Sequence, residues 1–308
     1  MALRLKLVGS VALVVLCLTS FSGSNAGGPS PTRLPVAVAG LIPAEIAEAL
    51  SAAAGIGVKS MAHAGSLGIV EALKARSVDF GAVTSDAAYL AFTGRLDQAT
   101  APFDTLRGIT VLDLKTIHLM SRRHAQVRSI GDLRGMNVSL GPPGTGTSLV
   151  SKLLLNAHGV TLTDIDEEYV PIPEAVKRLA AGELDAAFMP MVAPAPEATA
   201  AARGGAQLLE IAGATVEQLR LSHPFLSRAR IAERTYPGQE KVVHTIAVDL
   251  LLVSRADTDD VLVYNFLNAY FTALGRTTAV TDLSRAAGMS IPLHAGAARY
   301  YRERELSR

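Results

Sequence analysis

The chain has 308 residues, 49% of them hydrophobic, and its 29 Lys and Arg residues nearly balance 28 Asp and Glu residues. This composition can supply a large core, and the lack of a basic stripe with interleaved aromatic residues argues against a nucleic-acid partner. The single cysteine, Cys17, lies near the N-terminus, and no two histidines stand four residues apart. Neither a disulfide framework, a metal site nor a cofactor is therefore expected.

Residues 1–26 have the features of a cleavable signal peptide. Arg4 and Lys6 precede an apolar run over 7–18, and small residues at 24–26 suit a cleavage site. The run is too short to span a bilayer comfortably. Leu16 occupies the position before Cys17 where a lipoprotein signal carries a small residue, so a lipid anchor is not favoured. The segment predicts export of a soluble protein to the periplasm.

Short apolar runs then alternate with amphipathic helical patterns along the chain. The patterns predict strands at 36–39, 58–61, 80–83, 109–120, 138–140, 169–170, 186–189, 208–211 and 244–254. They predict helices at 43–54, 67–75, 87–92, from 148 onward, and at 174–181, 257–274 and 278–287. Such alternation is typical of an α/β fold with parallel sheets.

The alternation occurs in two runs, which predicts two doubly wound sheets in two lobes joined by a hinge. The long strands near 112–121 and 244–254 bracket the second run. We therefore expect lobe 1 to comprise 27–118 plus 250–308, and lobe 2 to comprise 119–249. Ligands of such sheets bind beyond the carboxyl ends of the strands, which places a site in the cleft between the lobes.

A Gly-rich turn at 141–148 is the strongest candidate site. A turn of this kind that opens a helix presents free backbone N–H groups and the positive end of the helix dipole, which suits an anion. Thr147 stands where a P-loop has lysine, so a carboxylate fits better than a nucleoside triphosphate. The alternative is an ordinary connection in which Thr147 only caps the helix. The predicted ligand contacts are Gly144, Thr145, Gly146 and Thr147.

Two further turns supply candidates from lobe 1. Ser66 follows a strand within His63-Ala64-Gly65-Ser66-Leu67-Gly68, and we expect it to open a helix with its hydroxyl facing the cleft. Thr84 and Ser85 end the next strand and are also candidate contacts. Tyr89, one turn later, either lines the site or packs in the core. Ser66 also resembles a nucleophile elbow, which leaves a serine hydrolase using an Asp and His294 as an alternative.

Ordered motifs over nearly the whole mature chain resemble those of TAXI-type solute receptors of tripartite ATP-independent periplasmic (TRAP) transporters. They are HAGS at 63–66, VDFGAVTSD at 78–86, DLRGMNV at 132–138 leading into GPPG, AGELDAAF at 181–188, YPGQ at 236–239 and PLHAGAARYYRE at 292–303. The resemblance implies a bilobal type II periplasmic binding fold without catalysis. It also implies a small organic acid or amino acid as ligand and membrane permease subunits of a TRAP transporter as partners.

The chain departs from that family in lobe 1. Residues 39–43 lack the aromatic residues of the family's Gly- and Tyr-rich loop, Thr84 replaces a glutamine, and Leu112-Asp113-Leu114 replaces an aromatic-Pro-Glu motif. Fewer polar anchors then remain for an α-amino group, so we expect a less aminated or more apolar acid than glutamate. An exported sensing module for a signalling partner is a further alternative. The segment at 299–301 is expected to be structural.

Overall fold

The computed structural model describes residues 36–39, 44–55, 57–61, 65–96, 101–274, 285–286 and 288–305. The predicted signal peptide, most of the loop at 39–43 and most of the helix predicted at 278–287 lie outside these residues. None of the helices within the described ranges combines the length and apolar character needed to cross a bilayer.

Strands and helices alternate through the chain as the patterns predict. The strands are β1 (Val36–Ala39), β2 (Val58–Met61), β3 (Phe80–Thr84), β4 (Leu106–Arg122), β5 (Asn137–Ser139), β6 (Asp166–Glu168), β7 (Ala186–Met191), β8 (Ala206–Leu209), β9 (Leu226–Ile231) and β10 (Val243–Arg255). The helices are α1 (Ala44–Ala54), α2 (Gly65–Lys74), α3 (Ser85–Thr93), α4 (Gly146–Ala157), α5 (Ile172–Ala181), α6 (Pro196–Arg203), α7 (Ala214–Ser222), α8 (Asp260–Leu274) and α9 (Ala295–Glu305).

The strand order repeats itself in the two halves of the sheet. In the first half the order is β2-β1-β3-β10-β4, with the first three strands parallel and β10 antiparallel to both of its neighbours. In the second half it is β6-β5-β7-β4-β8, with β4 antiparallel to β7 and β8. In each half, the strand that comes first in the chain (β1 or β5) therefore lies between the next two strands. A long antiparallel strand (β10 or β4) pairs with the third.

The two predicted sheets are the two ends of one continuous sheet of ten strands. The reason is the length of β4 and β10, which have 17 and 13 residues and pair with each other from Leu106–Arg255 to Thr116–Ala247. The two long strands expected near 112–121 and 244–254 are present as β4 and β10. Their pairing joins the two halves, so the hydrogen-bonded ladder is not divided into two separate sheets. The boundaries of the two lobes stay a prediction.

Helices cover both faces of the sheet, which explains the near-continuous apolar strands. Successive residues of β1 enter different cores: Val38 packs with α8 and α9, and Ala39 packs with α2 and α3. Near the C-terminus, Tyr300 and Tyr301 are 2% and 4% exposed, and the Tyr301 hydroxyl donates to the Ile109 carbonyl at 3.0 Å. The structural role expected for 299–301 therefore holds for these two tyrosines.

Five elements differ from the sequence patterns. The strand predicted at 169–170 lies at Asp166–Glu168, and β9, α6, α7 and α9 were not predicted. β6 is an edge strand with exposed acidic residues, so it carries no apolar run. β9 has buried residues only at its two ends and two exposed arginines between them, and four of the eight residues of α6 are alanine, so neither gives a strong periodic signal.

Candidate functional site

A groove of about 620 Å³ lies at the carboxyl ends of the parallel strands β5, β6 and β7. Loops that follow these three strands form its walls, and β4 contributes one cationic side chain. We call it the proline groove; its described lining residues are Lys115, Pro142, Thr147, Pro171, Ile172, Pro173, Pro190, Met191, Val192, Pro194, Ala195, Pro196 and Glu197. This is the end of the strands at which ligands of α/β sheets bind.

The proline groove is mainly apolar and has few polar groups. Lys115 is partly exposed, and its Nζ lies 3.5 Å from Oδ2 of Asp113. Thr147 stands in the first turn of α4, where the helix dipole is positive. Val192 is 43% exposed, although it is a large apolar residue. The groove therefore combines a lysine and a helix N-terminus with a water-exposed apolar side chain.

The turn at 141–148 opens α4 as predicted. The Thr145 hydroxyl accepts from the Ser148 amide at 3.4 Å and donates to the Pro142 carbonyl at 2.6 Å, so Thr145, and not Thr147, caps the helix. Within the described part of the chain, the amides of Gly146 and Thr147 have no acceptor. Free donors at a helix N-terminus are the groups that the anion prediction requires.

The turns from the first half of the sheet lie directly against this turn. The Leu67 amide donates to the Gly144 carbonyl at 3.4 Å. A side chain at Gly146 would place its Cβ 2.2 Å from the Thr84 hydroxyl oxygen, so only glycine allows this approach. The hydroxyls of Ser66 and Thr84 lie 3.2 Å apart, and that of Ser66 also accepts from the Thr84 amide at 3.2 Å.

Ser85 and Tyr89 are placed differently from Ser66 and Thr84. The buried Ser85 hydroxyl donates to the Phe225 carbonyl at 3.1 Å and accepts from the Asp249 amide at 3.0 Å. Its donor hydrogen is therefore used within the protein. The Tyr89 ring lies 5.4 Å from the ring of Phe225 and packs against the core of the second half. Of the two positions expected for Tyr89, in the core or lining the site, this is the one in the core.

Asp86 is fully buried, and neither of its carboxylate oxygens has a hydrogen-bond partner in the described structure. Both oxygens lie about 3 Å from the position that a Cβ at Gly146 would take. Burial raises the pKa of Asp86, and this effect exceeds the lowering by the nearby Thr84 hydroxyl and Ala87 amide. The burial of this residue depends on the approach of α4, a segment distant in sequence, so the local pattern does not indicate it.

A buried network supports the loop of the proline groove that follows β7. Nδ1 of His118 lies 2.9 Å from the Thr116 carbonyl, and its Nε2 lies 2.8 Å from the Tyr236 hydroxyl. That hydroxyl accepts from the Ala195 amide at 3.0 Å. These distances fit one assignment: Nδ1–H donates to Thr116, and Tyr236 donates to Nε2. Burial lowers the pKa of His118, which favours this neutral form.

The groups of the hydrolase alternative have other partners. Ser66 is hydrogen bonded to Thr84, whereas His294 is buried with Nδ1 3.6 Å from Oδ1 of Asp260. Burial also lowers the pKa of His294. No hydrogen bond or ion pair of the described residues joins Ser66 to His294, so this alternative gains no support. Nor do the described residues include three or more His, Cys, Asp or Glu side chains placed to hold a metal ion.

The duplicated strand order, with a groove at the carboxyl ends of the parallel strands, defines the class of the protein: it has a type II periplasmic-binding-protein fold. The chain belongs to the NMT1-like family, whose model matches residues 26–304. This assignment is broader than the TAXI type expected from the motifs, which stays a prediction.

The two solved structures below with TM-scores above 0.5 agree on the fold at low sequence identity. A protein of Bordetella bronchiseptica RB50 is 17% identical with a TM-score of 0.53, over 88% of this chain and 80% of that chain. A Xanthomonas citri protein solved bound to ATP is 12% identical with a TM-score of 0.54, over 87% and 94%. The periplasmic aliphatic sulphonate-binding protein SsuA of Escherichia coli is 16% identical with a TM-score of 0.46, over 89% and 79%.

The turns that carry Ser66 and Thr84 thus contact the turn that opens α4, which carries Gly144, Thr145 and Gly146. Thr147 lines the proline groove instead. Sequence reasoning missed Lys115 and the proline-rich loops after β6 and β7. The available signal was the density of proline at 171–173 and 190–196, directly after predicted strands. Lys115 gave no signal, because one lysine in a long strand is ordinary.

Proposed function

We propose that this chain is an extracytoplasmic solute-binding receptor that captures a small carboxylate-bearing solute in the proline groove. One observation carries the proposal: an open, mainly apolar groove has the N-terminus of α4 and Lys115 as its positive groups. A helix N-terminus and a lysine both stabilise an anionic head group. Proline, methionine and valine side chains offer an apolar surface to the body of the ligand.

The groups around the groove favour an apolar acid over an aminated one. Glu197 is the only acidic residue among the described groove-lining residues. The carboxylate nearest to Lys115, that of Asp113, already forms an ion pair with it. An ammonium group near the head of the ligand would lie beside Lys115 and the positive end of α4, which repels it. We therefore expect a simple aliphatic acid to bind better than glutamate.

Binding constants for three probes test this choice of ligand. In calorimetry, hexanoate should bind more tightly than glutamate, and hexanesulfonate tests whether the shape of the anion matters. Tight binding confined to glutamate would overturn the choice of an apolar acid, and tight binding confined to hexanesulfonate would overturn the choice of a carboxylate.

Substitutions in the groove test its position. Thr147→Val and Lys115→Gln should each weaken hexanoate binding about tenfold or more, because each removes a contact with a charged group that contributes about 1.5–3 kcal/mol. Lys59→Gln is the matched control, since Lys59 is exposed on β2 and does not line the groove. Unchanged binding in both groove variants would contradict this site.

The transport part of the proposal is a TRAP-type uptake system in which the receptor, exported to the periplasm, delivers its solute to membrane permease subunits. The ordered motifs of the sequence support it. Uptake of labelled hexanoate into vesicles that carry the permease should need the receptor and an ion gradient. Uptake that needs ATP instead would overturn the TRAP type while leaving solute binding intact.

A further inference from the structure

A second cavity, of about 300 Å³, lies at the end of the sheet opposite to the proline groove. Along one edge, β4 pairs with β10 up to Thr116 and with β8 from Leu119, and the cavity lies where β8 replaces β10. Arg123 lines it beyond the end of β4, where β7 begins, whereas the groove lies where β7 ends. The two cavities share no described lining residue, so they are separate places on the molecule.

The loop between β9 and β10 forms one wall of this cavity and is held by internal hydrogen bonds. The Gln239 side chain is 9% exposed; it accepts from the Tyr236 amide at 3.2 Å and donates to the Lys241 carbonyl at 2.9 Å. A Cβ at Gly238 would lie 2.2 Å from Nη2 of Arg123, so this guanidinium group lies directly against the loop. The wall is therefore formed before any ligand binds, which lowers the entropic cost of binding.

The charged groups of the lining favour an anion. Arg123 and Lys241 are both exposed, and no ion pair or side-chain hydrogen bond among the described residues involves either of them. Glu240 is the only acidic residue among the described lining residues. Its Oε2 lies 3.8 Å from Nε of Arg234, a residue outside the lining. The cavity thus has two unpaired positive charges, and its one negative charge has a partner elsewhere.

Apolar side chains that water can reach lie beside these charges. Leu208 of β8 and Val243 of β10 are half-buried, and Pro237 of the loop is exposed. A volume of about 300 Å³ is at the lower end of the range of ligand pockets, about 300–1,000 Å³. The cavity therefore suits a compact ligand that can cover this apolar surface.

We propose that this cavity binds a small organic anion with a compact apolar body, for which benzoate is the probe. Its carboxylate would lie at Arg123 and Lys241, and its ring would cover Leu208, Pro237 and Val243. Both parts are needed, because ion pairs with exposed side chains contribute little by themselves and the buried ring adds the hydrophobic contribution. This site does not depend on ligand binding in the proline groove.

Three probes separate the two contributions. In calorimetry, benzoate should bind at least tenfold more tightly than acetate, which lacks the ring, or benzamide, which lacks the charge. Arg123→Gln with Lys241→Gln should lower the affinity for benzoate to that for benzamide. Lys59→Gln with Arg230→Gln is the matched control, since it removes two exposed cations that do not line the cavity. Thermal unfolding of each variant establishes that it is folded.

Two methionines report the position of the ligand, because Met120 lines this cavity and Met191 lines the proline groove. In methyl NMR of the protein with labelled methionine, benzoate should shift the Met120 signal and leave that of Met191. Thr147→Val should leave benzoate binding unchanged. A shift confined to Met191, equal affinity for benzoate and benzamide, or unchanged benzoate binding in the folded variant without Arg123 and Lys241 would overturn the proposal. Failure of hexanoate to bind would instead count only against the proposed function.

Discussion

At the scale of single residues, several polar side chains are buried in the second half of the sheet and bonded to segments distant in sequence. Tyr236 is the clearest case, because its hydroxyl joins His118 of β4 to the Ala195 amide beside the proline groove. The tyrosine side chain is 3% exposed and His118 is 0% exposed. The network therefore connects the loop after β7, which forms one wall of the proline groove, to the long strand β4.

Tyr236→Phe should destabilise the protein by about 1–3 kcal/mol, because it leaves Nε2 of His118 and the Ala195 amide without partners in a buried place. Urea unfolding measures the change. Tyr264→Phe is the control, since its hydroxyl bonds to Glu303 near the surface and should contribute less. Equal losses in the two variants would contradict the role assigned to the buried network.

Asp86 gives a pH dependence with a definite sign. Its pKa is raised by burial, so the folded chain keeps this proton at pH values where the unfolded chain has lost it. The contribution of Asp86 to stability therefore falls as pH rises from about 4, near the ordinary carboxyl pKa, through the folded pKa. The free energy of unfolding of Asp86→Asn, relative to that of the unchanged protein, should therefore rise with pH across that range and stay constant above it.

Unfolding curves in urea at a series of pH values measure this difference. Asp132→Asn is a control of opposite sign, because bonds from the Arg128 amide and from Ser129 lower the pKa of that exposed carboxyl. Its stabilising effect should be lost as pH falls below about 4. A constant difference between Asp86→Asn and the unchanged protein at all pH values would contradict the burial of an ionisable group.

At the scale of elements, the turn before α4 depends on two glycines with different surroundings. Gly141 and Gly144 have φ values of +79° and +72°, a region that favours glycine. A Cβ at Gly141 would lie 2.4 Å from Cγ2 of Thr147, whereas a Cβ at Gly144 would meet nothing within 4 Å. The lack of a side chain at Gly141 therefore allows Thr147 to pack against the turn, whereas Gly144 is required only for its backbone conformation.

Gly141→Ala should weaken hexanoate binding and lower stability by more than Gly144→Ala, which should cost only about 1–2 kcal/mol of backbone strain. Calorimetry and urea unfolding measure the two effects. Both variants place alanine at a positive φ, so they share the backbone strain, and only Gly141→Ala also displaces Thr147. The difference between the two variants therefore measures the effect of that displacement. Equal effects on hexanoate binding would mean that the packing of Thr147 on Gly141 does not position the ligand.

At the scale of the whole molecule, the two ends of the sheet meet at the candidate site. Thr84 ends β3 in the first half, and Gly146 begins α4 in the second half. Their close approach requires glycine, since a Cβ at Gly146 would lie 2.2 Å from the Thr84 hydroxyl oxygen. One added methyl group therefore tests whether this contact stabilises the arrangement.

Gly146→Ala should destabilise the protein by about 1–3 kcal/mol, which is typical of overpacking in a dense contact. Thr84→Ala in the same chain removes the clashing oxygen and should restore part of the loss. A double-mutant cycle from urea unfolding measures this coupling. Additive effects of the two substitutions would show that the contact between Thr84 and Gly146 does not contribute to stability.

The sequence by itself determined the α/β class, most elements, the long strands β4 and β10, and the helix-opening turn at 141–148. These features are local, because they follow from apolar periodicity over a few residues and from the positions of glycine and proline. The expected end of the sheet for a site follows from the rule that ligands bind at the carboxyl ends of parallel strands. The edge strand β6 was misplaced because its acidic residues carry no apolar pattern.

Only the tertiary structure decided how the candidate residues are used. It directs the Ser85 hydroxyl to Phe225 and Asp249, buries Asp86 against Gly146, and adds Lys115 to the proline groove. Each of these facts depends on the approach of segments that are far apart in the chain. That approach is set by the packing of the whole sheet and its helices, and local patterning does not encode it.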